Sequence, residues 1–143
     1  MSTYTFVAYL AELHRAVHAV GLFLDARLDG EVSQPEALVI VHLHAGGPST
    51  INDVHRAFLH RRSTLTSVLD RLESKGLVRR TAAAGDRRTV RLELTARGTR
   101  IADAIARAFE ELRRDVEATS AITARDVARV RAVAENASAA QQP

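Results

Sequence analysis

The chain contains no cysteine and no tryptophan among its 143 residues. Without cysteine there can be no disulfide, no thiolate metal site and no oxidant sensing through a reactive thiol; an intracellular location is compatible with this. Aromatic residues make up only 4% of the chain, two Tyr and four Phe. A stacking pocket would therefore have to draw on Tyr4, Phe6, Tyr9, Phe23, Phe58 or Phe109. Catalytic signatures are missing too: there is no G-x-S-x-G elbow, no Gly-rich phosphate loop and no H-E-x-x-H pair. Gly46-Gly47 reads as a helix stop, so neither enzymatic chemistry nor a cofactor is expected. No window reaches the roughly 18 apolar residues of a membrane span. The first segment, MSTYTFVAYLAELHRAV, is interrupted by acids and histidines and does not read as a signal peptide. Lysine is almost absent as well. Lys75 is the single one, and arginine carries the rest of a net charge of only +3.

What remains is rich in Ala, Val and Leu, with hydrophobic residues at 46%. That mix favours a helical protein with a core of small residues. The length suits one domain, or a small domain with a dimerisation arm. A chain of this size buries roughly 68–70% of its unfolded surface and can fold without a disulfide or metal.

Along the first helix, Phe6, Leu10, Leu13, Val17, Val20 and Leu24 are spaced 4, 3, 4, 3, 4. This coiled-coil-like seam suggests contact with another helix or another subunit. Ser33 opens a capping box with Glu36, and Pro35 stands in the first turn. The helix that follows stops at Gly46-Gly47. Ser49 and Thr50 can cap a short helix at about Ile51–Phe58. A turn through Leu59, His60 and Arg61 leads to a helix at about Arg62–Lys75, ended by Gly76. Leu77–Ala82 and Thr89–Leu94 read as two strands, joined by a turn at 83–88. Thr95 caps a long helix over about Ala96–Ala118. Thr123 and Asp126 cap a last one with Val127, Val130 and Val133, before a polar tail. The order is ααααββαα.

The charge is not spread evenly. Eleven arginines fall between Arg56 and Arg100, and clustering matters more than the small net charge. On the helix at Arg62–Lys75, the residues Leu65, Val68, Leu69 and Leu72 share one face and must pack inward. The opposite face carries Ser63, Ser67, Asp70, Arg71 and Ser74, flanked by Thr64 and Thr66. Small hydroxyls allow close approach to base edges and phosphates, and Arg71 can donate to a phosphate or to guanine. So many Ser and Thr residues on one short helix cost helix propensity, which points to recognition rather than to an ordinary surface. At the hairpin tip, an Asp two residues before an Arg can hold that Arg extended for the narrow, electronegative minor groove. Asp86 and Arg88 have that spacing, with Arg87 between them.

The run from Ser63 to Gly98 resembles the MarR family of winged helix-turn-helix regulators. The likeness rests on STLTSVLDRLESKGLV, on the wing GDRR, and on the closing LTARG at Leu94–Gly98; the remaining element order extends it over nearly the whole chain. It implies a mainly α fold with a small β-hairpin wing and a helical dimerisation region. Residues 33–94 would form the DNA-binding winged helix-turn-helix, and 1–32 with 95–143 the dimerisation region, as one intertwined unit. It further implies a cytoplasmic homodimer acting on double-stranded DNA, most often as a repressor released by a small aromatic or lipophilic effector. The recognition helix would contribute Arg62, Ser63, Thr64, Thr66, Ser67 and Arg71, and the wing Asp86, Arg87 and Arg88, with Asp86 bracing Arg88. Phe6, Leu10, Leu13, Val17, Ile122, Val127 and Val130 would line the dimer interface. The segment FLHRRS is less apolar than in many relatives, and phosphate contact is expected there.

Among the six histidines, His14 and His18 have the i, i+4 spacing that can place two imidazoles on one metal, near Glu12. Further ligands are not identifiable by spacing, so no metal is expected. Two other readings compete with a specific regulator. An architectural DNA-binding protein would show salt-dependent affinity without sequence preference. A winged-helix module binding protein would be expected to carry a neutral wing, unlike Arg87 and Arg88.

Overall fold

The computed structural model describes residues 2–58, 61–83 and 85–119, with side chains described outside 83, 86–88 and 115–119. Eight elements follow one another: α1 (Thr3–Arg27), α2 (Gln34–Gly46), β1 (Ser49–Thr50), α3 (Ile51–Phe58), α4 (Arg62–Ser74), β2 (Val78–Ala83), β3 (Asp86–Leu94) and α5 (Ala96–Thr119). The chain divides into two compact units, Met1–Phe109 and Glu110–Pro143. In the second unit, α5 carries Glu110 hydrogen-bonded to Arg113 and Arg114. Those contacts, Arg113's first, hold the Glu110 carboxyl at about 2 against the effect of burial.

In the first unit the core lies where α2, α4, the sheet and the start of α5 meet, and the end of α1 is drawn into it. Ala37, Val39, Ile40 and Leu43 of α2 are buried, so this helix is apolar on more than one face. From α4 come Leu65, Val68, Leu69 and Leu72, the stripe read from the sequence. Leu77, Val78 and Leu92 add the sheet, and Ala102, Ile105 and Ala108 the first turns of α5. Each fully buried leucine stabilises the fold by roughly 1.5–3 kcal/mol relative to exposure.

The α1 seam splits in two. Leu24 is buried, and Val20 and Phe23 pack against the core, whereas Tyr4, Phe6, Val7, Leu10, Val17 and Leu22 stay exposed. Contrary to the expectation from sequence, α1 also holds an 18-residue window apolar enough, by length and composition, to cross a membrane. The physical source is its run of Val, Ala and Leu on all sides of the exposed Glu12–Arg15 pair.

The sheet has three antiparallel strands in the order β1-β3-β2, where a two-stranded hairpin was expected. Ser49 pairs with Leu92 and Thr50 with Arg91. Thr50 caps α3 as well: Asp53 N donates to its Oγ1 at 3.1 Å, and Thr50 N to Asp53 Oδ2 at 3.1 Å. The hairpin is longer than the sequence suggested. Pairing runs from Val78↔Leu94 to Ala83↔Asp86, with an irregularity at Ala82/Ala83, so residues 86–88 belong to β3 rather than to a loop. Gly85, at φ +83°, supplies the left-handed residue of that tight turn. The last predicted helix, with Val127, Val130 and Val133, lies outside the described residues, as does the interface candidate Ile122 before it.

The closing LTARG motif has a steric reason. Thr95 N donates to Leu77 O at 3.0 Å. Its hydroxyl donates to Gly76 O at 2.6 Å and accepts from Gly98 N at 3.0 Å. A Cβ on Gly98 would lie 2.0 Å from Leu77 O, so only glycine lets α5 begin this close to the turn after α4.

Candidate nucleic-acid interface

Helix α4 is built to show one face. Its inward stripe anchors it, and its far end closes by a Schellman turn: Leu77 N reaches Leu72 O at 2.9 Å and Gly76 takes φ +67°. The near end is different. The residue before α4, Arg61, makes no side-chain cap, so among the described residues no side chain occupies the first-turn N–H groups, which can face an anion.

Ser63, Thr64, Thr66 and Ser67 are all exposed on that outward face. Thr66 and Ser67 donate their hydroxyl protons to Arg62 O at 2.9 Å and Ser63 O at 3.0 Å, one turn back. Their oxygens therefore point outward as acceptors, suited to an amino group on a base edge. Arg62 also lines an open crevice between α3 and α4, together with Ile51, Asn52, His55, Leu65 and Thr66.

Charge pairing sorts the arginines. Arg56 pairs with Asp53 at 2.8 Å and Arg79 with Glu93 at 2.9 Å. Arg80 reaches from β2 to Asp70 at 2.6 Å and Glu73 at 3.0 Å on α4, tying the wing to the helix. Among the described residues, no carboxylate engages Arg61, Arg62 or Arg91. Arg91 is exposed on β3, opposite Thr50 and Thr81, and sequence reasoning did not single it out. Its signal was present: in the alternation of β3 it falls on the face opposite Leu92 and Leu94.

Arg71 makes a contact within the fold that the sequence did not suggest, although its side chain stays about half exposed. Its Nε donates to Glu36 Oε1 at 3.0 Å, across to the first turn of α2. Glu36 is 1% exposed and also accepts from Lys75 Nζ at 2.8 Å and Ser33 N at 2.8 Å. Burial pushes its pKa up. The hydrogen bonds from Lys75, Ser33 and Arg71 outweigh that and leave it below the ordinary glutamate value.

In the wing, the backbone of Asp86, Arg87 and Arg88 forms the start of β3; their side chains, like residues Leu59 and His60, lie outside what the structure describes. His14 and His18 stand exposed on α1. His42 meets Phe58 edge-on with ring centres 5.4 Å apart, and His44 Nε2 lies 3.5 Å from Asp103 Oδ1. Of the aromatic residues, Tyr4 and Phe6 are exposed, Phe23 lies under the Arg27 guanidinium, and Phe58 and Phe109 pack against the core.

Comparison with known proteins finds relatives of the chain and of its fold. A MarR family model matches residues 31–89. Over 105 residues the chain is 34% identical to the HTH-type transcriptional regulator PecS of Dickeya dadantii (strain 3937), a match covering 68% of this chain and 63% of PecS. The chain thus spans just under two thirds of that curated relative. Among solved structures, it resembles MepR of S. aureus in complex with DNA, with a TM-score of 0.67 and 20% identity over 99% of this chain and 100% of that one. It also resembles reduced AbfR bound to DNA, with a TM-score of 0.66 and 24% identity over 76% of each chain. At these identities the two structures establish likeness of fold.

Proposed function

The chain belongs to the MarR family, and from that premise we propose that it is a homodimeric, sequence-specific transcriptional regulator of double-stranded DNA. The observation carrying the proposal is helix α4: pinned by four buried aliphatic residues, uncapped at its start, and presenting Ser63, Thr64, Thr66 and Ser67 outward beside Arg61 and Arg62. In this reading α4 enters the major groove. The hydroxyl acceptors and Arg62 address base edges, and Arg61 with the first-turn N–H groups holds phosphate. The wing arginines Arg87 and Arg88 reach the adjacent minor groove, with Asp86 bracing Arg88, and Arg91 adds a phosphate contact from the sheet. MepR and AbfR, whose folds this chain shares, were each solved bound to DNA.

Dimerisation uses the exposed part of the α1 seam, Phe6, Leu10 and Val17 with the half-buried Leu13, and the segment containing Ile122, Val127 and Val130. An unpartnered apolar stripe of this length is costly in water, and a second copy would cover it. A two-fold dimer reads a pseudo-palindrome with half-sites about one helical turn apart. Repression in the cytoplasm, relieved by a small aromatic or lipophilic effector, completes the proposal.

The deciding experiment is selection from a random duplex-DNA library, with the winners' affinity followed against salt. An enriched palindrome bound by a dimer is the expected result. Steep salt dependence without enrichment would replace it with an architectural role, and no binding at low salt would remove DNA as the partner.

A further inference from the structure

Glu36 is the one charged side chain found buried among the described residues, and its role exceeds that of a helix cap. A capping-box glutamate needs only the backbone N–H of its cap, here Ser33, and can do so at the surface. This carboxylate is sealed from water and engages both cations at the end of α4, Arg71 and Lys75. The pairing spreads further. Lys75 Nζ also donates to Glu31 O at 3.0 Å, while Arg97 bridges Lys75 O and Glu31 Oε1, each at 2.7 Å. One knot thus joins the segment before α2, the first turn of α2, the end of α4 and the start of α5.

Such a buried ionic cluster is weak evidence for stability, because desolvation offsets much of its attraction. What it adds is direction. The stripe Leu65, Val68, Leu69 and Leu72 holds α4 against the core, and the charged hydrogen bonds, which tolerate little misalignment, add a second constraint on its angle. The clamp residues Arg71 and Lys75 follow the reading residues by about one to three turns of helix. Ser63 lies about 12–18 Å along the helix from them, so a tilt of about 10° at the clamp displaces it by about 2–3 Å, more than a base contact tolerates.

We propose that Glu36 is a positioning residue for DNA reading, acting through Arg71 and Lys75 to set the angle at which α4 presents Ser63, Thr64, Thr66 and Ser67. Arg71 is then part of the clamp rather than a base contact. The proposal rests on the DNA-reading assignment above.

The test compares affinity for the selected operator with affinity for a random duplex of equal length, at one salt concentration, for wild type, Glu36→Gln, Arg71→Gln and the double variant. Glu36→Gln is near-isosteric and keeps an acceptor for Ser33 N. It is expected to lower operator affinity about tenfold while random-duplex affinity stays within about twofold, and the double variant should lose no more than Glu36→Gln alone. A merely structural role would weaken both duplexes by the same factor, and that result, or an unchanged ratio, would overturn the proposal. Should Glu36→Gln fail to fold, Arg71→Gln keeps the Lys75 partner and carries the same comparison. A wild-type chain showing no operator preference would instead overturn the DNA-reading assignment, a failure told apart because it appears before any substitution.

Discussion

Replacing Gly98 by alanine tests the junction that joins the sheet, the end of α4 and the start of α5. The new Cβ would meet Leu77 O at 2.0 Å and Leu77 C at 3.0 Å, and both are backbone atoms that cannot swing aside. Relief requires moving Leu77 or the first turn of α5. Either movement strains the bond from Thr95 N to Leu77 O, the bond from Thr95 Oγ1 to Gly76 O, and the bond from Gly98 N to Thr95 Oγ1. Three hydrogen bonds at about 0.5–1.5 kcal/mol each, with an overpacking shift of about 1–3 kcal/mol, put the cost at about 3–7 kcal/mol. For a domain whose total stability is of the order of 5–15 kcal/mol, that is a large share. A chain of this length loses roughly 3–4 °C per kcal/mol, so the circular-dichroism melt at 222 nm should fall by about 10–25 °C. Gly46→Ala is the matched control. A Cβ there meets nothing within 4 Å, and the position ends a helix without positive φ. It should melt at or slightly above wild type, by about 0.4–1 kcal/mol. A Gly98→Ala melt within about 3 °C of wild type would refute the close approach on which this account of LTARG depends.

Within α4, Leu69→Ala should cost about 2–5 kcal/mol in a denaturant melt, while Thr66→Ala should leave the melt alone and weaken operator binding; a reversal of the two would mean the wrong face is buried. Arg88→Ala should weaken binding and lower the slope of affinity against salt by about one, and an unchanged slope would remove the wing from the contacts. The folded pKa of Glu36 lies below its unfolded value of 4.5, so its charged hydrogen bonds contribute fully above that pH and are lost as pH falls through the lower folded value. The urea-midpoint difference between wild type and Glu36→Gln should therefore hold from neutral pH down to about 4.5 and shrink below it; a difference independent of pH would show an uncharged carboxyl in the fold. Leu10→Glu places a charge in the exposed α1 seam and should give monomers by sedimentation, whereas an intact dimer would move the interface elsewhere.

Much of the proposed reading surface was visible in the chain itself. The stripe Leu65, Val68, Leu69 and Leu72, the Ser33–Glu36 capping pair and the stop at Gly76 are each specified by residues three or four positions apart. Helical geometry turns such spacing directly into a face or a cap. Other features waited for the tertiary structure. Ser49–Thr50 looked like a cap alone, because a two-residue strand has no signature until Leu92 and Arg91 supply its partners. The Arg71–Glu36 pair could not be read from the sequence, because that carboxylate stands 35 positions away on α2. The α1 seam read as one continuous stripe, yet the core takes Val20 and Leu24 and leaves Phe6, Leu10 and Val17 exposed. Periodicity and capping are local, so the sequence alone determined the helices found among the described residues and which side of α4 turns inward. Ion pairing, strand partnership and the division of an apolar stripe between core and surface depend on groups that only folding brings within a few ångströms.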